Sequence, residues 1–252
     1  MGSSLDGMNV LVTGASGGIG SAIVEEIAHQ GGFPVIHYGA NRRAAEQLLE
    51  RIEGRGAMVQ ADLFSREGPR ELWESCLQQV SKLYAVVHNA GVRTEVSIDS
   101  DWDEWHAAWS REFQINVQAA ADLSRLAIEH FSRHGGGKII SMASRAAQRG
   151  YSAEALPYGV TKAALVNLTK SIARSFGNRG IVATCIAPGW VRTEMAENYI
   201  TKHGFEAAVA DIPLGDIATP AEVAELVAFC LNPSQRSING ATLDVNGGSY
   251  IR

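Results

Sequence analysis

The run Val10-Leu-Val-Thr13 breaks directly into Gly14-Ala-Ser16-Gly17-Gly18-Ile19-Gly20 and then into a segment of helical period. A short β-branched run reads as a strand. A chain that leaves a strand for a helix within a few residues needs the backbone freedom of glycine. Missing Cβ atoms also let a pyrophosphate approach the main-chain N–H groups that open the helix. The spacing is TGxxxGxG, one residue wider than the GxGxxG fingerprint, and its strand–loop–helix setting separates it from a chance cluster of glycines.

The same alternation continues to the end of the chain. Strands are expected at 9–13, 34–38, 57–61, 85–88, 138–141, 182–187 and 241–245. Helical periods fill 18–30, 42–53, 66–80, 102–115, 119–134, 157–176 and 220–231. Gly31-Gly32, Gly54, Gly135-Gly136-Gly137 and Gly177 follow helices, where breakers belong. Strands alternating with helices predict parallel pairing and right-handed crossovers. The expected fold is a single α/β domain over 1–252, a doubly wound seven-stranded parallel sheet with helices on both faces. Ligands are expected beyond the carboxyl ends of its strands.

A chain of 252 residues, 46% hydrophobic and 19% charged, can bury a sizeable core. Its net charge of −5, with no Lys/Arg run, offers no electrostatic case for nucleic acid or an anionic membrane. Met1 to Met8 carries neither the basic nor the apolar part of a leader, and no apolar run of about 18 residues occurs. Cys76, Cys185 and Cys230 are far apart and form no ligand pattern, so they read as reduced core thiols of a cytoplasmic protein. The seven His residues form no HxH or HxxxH cluster, and no metal is expected.

Tyr158 and Lys162 stand four apart, which on a helix puts phenol and ammonium on one face. A nearby cation favours the phenolate and makes proton transfer near neutral pH practical. After the second strand, NAD-preferring sites carry an acidic residue for the ribose 2′-hydroxyl. That position reads as Tyr38, followed by Asn41, Arg42 and Arg43 with no carboxylate. Two guanidinium groups near a 2′-phosphate favour NADP(H), with NAD(H) possible. Asp62, just past the third strand, suits the adenine amino group and also serves as a cap. Trp102, Trp105 and Trp109 at helical spacing read as a core or subunit-contact stripe.

With TGxxxGxG, YxxxK and Asn89-Ala90-Gly91 after the fourth strand, the chain resembles the short-chain dehydrogenase/reductase family over essentially its whole length. The resemblance implies a Rossmann-type fold and a catalytic tetrad of Asn116, Ser144, Tyr158 and Lys162. It implies coenzyme contacts from Gly14, Ser16, Gly17, Gly18, Ile19, Gly20, Tyr38, Asn41, Arg42, Asp62, Leu63, Asn89, Ala90 and Gly91. Tyr158, Lys162, Pro188, Gly189, Val191 and Thr193 complete that set. Substrate would meet Ser144, Tyr158 and Trp190. Two departures stand out. Ser144 to Tyr158 is one position longer than in common relatives, and Gly17 replaces the Arg or Lys of many NADP-preferring ones. Ser141 is the alternative serine, placed inside a strand.

Within the family the chain most resembles the 3-oxoacyl-[acyl-carrier-protein] reductase group. His37-Tyr38, Arg179-Gly180 and the ending Ile238-Asn-Gly-Ala-Thr-Leu-Asp-Val-Asn-Gly-Gly carry that likeness. It implies an NADPH-dependent reduction of a carbonyl to a secondary alcohol, with a small-molecule substrate that an acyl carrier protein could deliver. Arg179 matches a carrier-docking arginine, while Arg133 is only close to the other. The implied assembly is a homotetramer built on the Asn116 and Pro157 helices and the last strand. The segment 193–217 is expected to be a lid over substrate. The competing readings are an NAD-dependent alcohol or sugar dehydrogenase and a dinucleotide-binding regulator without turnover.

Overall fold

The computed structural model describes residues 4–252, so Met1, Gly2 and Ser3 of the expected leader-free start lie outside the described residues. Seven strands form one parallel sheet. They are β1 (Asn9–Val12), β2 (Phe33–Tyr38), β3 (Ala57–Gln60), β4 (Ala85–His88), β5 (Gly137–Met142), β6 (Ile181–Pro188) and β7 (Thr242–Val245). Their order is β3-β2-β1-β4-β5-β6-β7. The direction of winding reverses between β1 and β4, so a crevice opens at their carboxyl ends.

Period-two geometry decides which side chain faces which layer. Val10 and Val12 of β1, with Ile36 and Tyr38 of β2, enter one core cluster. Leu11 and Val35 enter the other. The first cluster is covered by α1 (Gly18–His29) and α2 (Arg42–Arg51). The second is covered by α3 (Gly68–Gln79), through Leu72 and Cys76. Because helices bury both faces, β5 and β6 are buried at every position and show no polar alternation. The three thiols are all buried and unpaired.

The helical periods at 102–115 and 119–134 turn out to be one continuous run. α4 (Trp102–Glu112) opens under an Asp101 cap, whose carboxylate accepts the Glu104 N–H at 2.8 Å. It passes through a π-helical turn, Phe113–Gln118, into α5 (Ala119–Arg133). Such wide turns cost regular hydrogen bonding and concentrate at functional sites. Here the turn carries Asn116. The short α6 (Ala146–Arg149) then precedes α7 (Leu156–Phe176), which bears both Tyr158 and Lys162.

The segment expected as a lid is a helix pair, α8 (Glu194–His203) and α9 (Phe205–Val209). It packs on itself through Ala196, Ile212 and Ile217, with Trp190 against them. Finally α10 (Pro220–Leu231) returns to the first face beside α1. Thr219 and Glu222 form a reciprocal capping box at its start, with Pro220 in the first turn. No helix of the described residues is long and apolar enough to cross a membrane.

Candidate active site

Thr13 follows β1 at the crevice, and its hydroxyl accepts the N–H groups of Asn89 and Ala90, both at 3.0 Å. Asn89 answers by donating its amide to the carbonyls of Thr13 and Gly14, also at 3.0 Å. The two loops that flank the reversal are therefore one hydrogen-bonded unit. Gly14 adopts φ +60, and a Cβ there would lie 2.8 Å from Ala90 Cα. A Cβ on Gly20 would fall 2.5 Å from the Gly14 carbonyl oxygen. Side chains at either position would force the loops apart.

A cavity of about 590 Å³ runs along these strand ends. Gly14, Gly17, Gly18 and Ile19 line it, as do Asp62, Leu63, Asn89, Ala90 and Gly91. So do Ser144, Tyr158, Lys162, Pro188, Gly189, Trp190, Val191 and Thr193. Its size suits a bound cofactor. A Cβ on Gly17 would meet nothing within 4 Å, so open space faces the N-terminus of α1, where the helix dipole favours phosphate. The residues present fit a nicotinamide dinucleotide.

Other expected contacts lie elsewhere. Tyr38 is 4% exposed and belongs to the core, because its face of β2 is the one under α1 and α2. His37, one residue earlier, lines the cavity in its place together with Gly39. Its Nδ1 accepts the Gly14 N–H at 2.9 Å, so Nε2 carries the proton and meets the Ala61 carbonyl at 3.2 Å. Burial lowers His37 to about 4, which keeps the ring neutral. Asn41 caps α2 by accepting the Ala44 N–H at 3.0 Å. Arg42 is exposed, with Nε on Glu46 at 2.8 Å, and does not line the cavity. Ser16 and Gly20 shape the loop without lining the cavity. Asp62 turns one oxygen to the Phe64 N–H at 2.9 Å while still facing the cavity.

At the other end, Tyr158 and Lys162 share one face of α7. Lys162 is 5% exposed and donates to the Met142 carbonyl at 2.8 Å. Its Nζ stands 5.7 Å from the centre of the Tyr158 ring. Burial lowers Lys162 to about 8, with Cys185 and Glu112 pulling upward. Burial pushes the Tyr158 phenol up to about 12, reinforced by Tyr151, while Ser144 and Arg93 pull it down. Desolvation thus outweighs the pull of Ser144 and Arg93 on the phenol. Ser144 is buried, and its hydroxyl accepts the Ala146 N–H at 3.1 Å. Ser141 lies inside β5 with its hydroxyl engaged by Thr169 at 2.9 Å, away from the cavity.

Asn116 stays behind the cavity wall. Its side chain accepts the Val92 N–H at 2.8 Å and donates to the Val92 carbonyl at 2.9 Å. A Cβ on Gly91 would sit 3.2 Å from Lys162 Nζ and 3.3 Å from Asn116 Oδ1, so a side chain there would crowd both groups.

Sequence reasoning missed His37, Tyr151 and Arg145 as lining residues. Arg145 is 5% exposed and reaches Asp211, just after α9, at 3.1 Å; Arg149 binds the same carboxylate. The one usable signal was strand phase, since Val35 and His37 share a face of β2.

A family model described as Enoyl-(Acyl carrier protein) reductase matches residues 14–250. The chain belongs to the short-chain dehydrogenase/reductase family, whose members bind NAD(P)(H), and is an oxidoreductase acting on CH–OH donors or the reverse. It is 34% identical to the uncharacterized oxidoreductase YmfI of Bacillus subtilis, over 94% of this chain and 97% of that protein. It is 33% identical to the 3-oxoacyl-[acyl-carrier-protein] reductase FabG of Rickettsia conorii, over 98% of each. Among solved structures, the 3-ketoacyl-(acyl-carrier-protein) reductase of Brucella melitensis, complexed with NADH, superposes with a TM-score of 0.88. It is 26% identical, with coverage of 98% of this chain and 99% of that one.

Proposed function

We propose that the protein is an NADPH-dependent reductase of 3-oxoacyl thioesters or a similar ketone. The observation that carries this reading is one cavity holding the glycine loop at one end and Tyr158, Lys162 and Ser144 at the other. The loop around Gly14–Gly20 would hold the pyrophosphate, Asp62 and Leu63 the adenine, and Pro188, Gly189, Val191 and Thr193 the nicotinamide side. Bound there, the coenzyme supplies the hydride.

Tyr158 gives its proton to the carbonyl oxygen as negative charge develops on it. A phenol raised to about 12 is fully protonated at neutral pH, which suits the reductive direction. Ser144 donates a hydrogen bond to the same oxygen and orients it. Lys162 offsets the charge left on the phenolate and holds the coenzyme ribose. Asn116 keeps the Val92 backbone in place and anchors a proton path to Lys162. Trp190 walls the substrate side, and the α8–α9 segment within 193–217 acts as a lid tied down by Asp211.

NADPH is favoured because the rim at His37 and Gly39 carries no carboxylate, and Arg42 and Arg43 open α2 beside it. One observation favours NADH instead: Arg42 is already paired with Glu46. The partner reading rests on Arg179, exposed just before β6, as a contact for an acidic carrier. A homotetramer is supported by apolar side chains left exposed on the interface helices, among them Phe113, Leu156 and Val160.

The test is an oxidation screen with NADPH and NADH across acetoacetyl thioesters, ketoses, quinones and cyclic ketones. Turnover of acetoacetyl thioesters with NADPH preferred is the expected result. A strong NADH preference removes Arg42 from the account, and activity confined to another ketone class removes the thioester.

A further inference from the structure

Glu112 closes α4 one helical turn before Asn116, between the aromatic residues Trp109 and Phe113. It is completely buried. Its Oε1 accepts the Thr94 N–H at 2.6 Å, and its Oε2 accepts Asn116 Nδ2 at 3.2 Å. Both partners are donors, which an ionised carboxylate satisfies, and the two Asn116 Nδ2 hydrogens are shared among Glu112, Val92 and Thr161. A buried carboxylate without a cation is expensive. Arg93 approaches but is matched by Glu95 at 2.8 Å. Lys162 is the other cation acting on it, and among the described residues Lys162 has no ion-pair partner of its own. Glu112 meets the Nδ2 end of the Asn116 amide, while Lys162 Nζ and Asn116 Oδ1 both lie within about 3.3 Å of the space beside Gly91, so the two charges flank that one amide.

We propose that Glu112 is a positioning residue of this site: its buried carboxylate braces the Asn116–Val92 clamp and supplies the counter-charge that keeps Lys162 an ammonium at neutral pH. This rests on the role given above to Lys162. The brace is geometric. Glu112 grips Thr94 and Asn116 grips Val92, so one face of the π-turn region fixes the loop after β4 against α7. Thr161 completes the tie, accepting Asn116 Nδ2 at 3.1 Å and donating to the Tyr158 carbonyl at 2.9 Å.

The counter-charge acts through low-dielectric surroundings, where an ionic interaction is weakly screened. Around Glu112 stand Lys162 and Tyr158 from α7, Thr161 beside them, and Arg93 from the loop after β4. Burial raises the carboxyl of Glu112, while the Thr94 N–H, Lys162, Arg93 and Thr161 pull it down. Around Lys162 stand the Tyr158 phenol, its ring centre 5.7 Å away, and the Cys185 thiol on β6, which burial pushes up to about 11 and so leaves neutral.

The experiment reads Lys162 directly. Protein carrying 13C-labelled lysine side chains is titrated by NMR, with Lys162→Met assigning the signal. The wild type should lose the Lys162 proton near pH 8. In Glu112→Gln it should do so about one pH unit lower. The basic limb of kcat/KM should move down with it, while coenzyme affinity stays within about twofold. Glu112→Leu fills a similar volume without charge and should give the same displacement if the Gln variant folds poorly. A Lys162 titration that stays at its wild-type position in these variants overturns the proposal, even if the rate falls. Because the NMR titration needs no turnover, a protein that reduces no ketone would sink the proposed function and leave this reading still measurable.

Discussion

The glycine-loop end of the cavity is made mainly of backbone, whereas the end at Tyr158 is made of side chains and bordered by an ion cluster. Around Gly14, Gly20 and Asn89, main-chain atoms approach so closely that a single added Cβ has nowhere to go. Around Arg145, Arg149 and Asp211, the fit depends on an ion cluster linking α6 to Asp211, just after α9. Backbone packing tolerates almost no substitution, whereas the Asp211 carboxylate is open to solvent although Arg145 is buried, so the ion cluster is less tightly constrained. Both ends carry family motifs, but around Tyr158 and Lys162 the surrounding side chains have more room to vary than the glycine loop does.

The contrast breaks most readily at Gly20. Gly20→Val should lower dinucleotide affinity by more than ~10²-fold and depress Tm, because the new atoms collide with the Gly14 carbonyl. A fluorescence titration showing near-normal affinity would refute the claim that backbone approach builds this end. Asp211→Ala should act at the other end only. It frees the lid segment, so KM for the ketone should rise about tenfold while coenzyme Kd stays constant. A matching change in coenzyme Kd would show that the two ends are not separable.

The smallest effect lies in acid stability. Burial lowers His37 and His88 from 6.5 to about 4. Between those values the unfolded chain binds protons that the folded one refuses, so stability is lost as pH falls from 6.5 toward 4. His88 has an unpartnered Nδ1 and only a Ser124 contact at 2.9 Å, so His88→Asn should flatten the decline in Tm by a few degrees (~2–4 °C). An unchanged slope between about pH 4.5 and 6.5 would exclude His88 as a source.

The backbone-built end was the legible one. The alternation of strands with helices and the glycine turn follow from residues whose effect is local, such as a missing Cβ or a breaker after a helix, while Asn89-Ala90-Gly91 was legible through the family resemblance. Tyr38 shows where legibility stops. β2 is buried on both faces, so hydropathy does not alternate, and only sheet register reveals that His37 faces the cavity. Glu112 and the Arg145–Asp211 pair were unreadable for another reason. Their partners are distant in sequence, and a charge in isolation looks like surface. The π-turn at Phe113–Gln118 likewise left no mark, since its residues continue the same helical period.

In the proposed mechanism the Tyr158 hydroxyl donates the proton that accompanies hydride transfer. Tyr158→Phe removes that oxygen and almost nothing else, and single-turnover reduction of the best ketone reads the chemical step directly. The rate should fall at least ~10²-fold with coenzyme affinity nearly unchanged. Reduction of the ketone by the Tyr158→Phe variant at the wild-type rate would contradict the account.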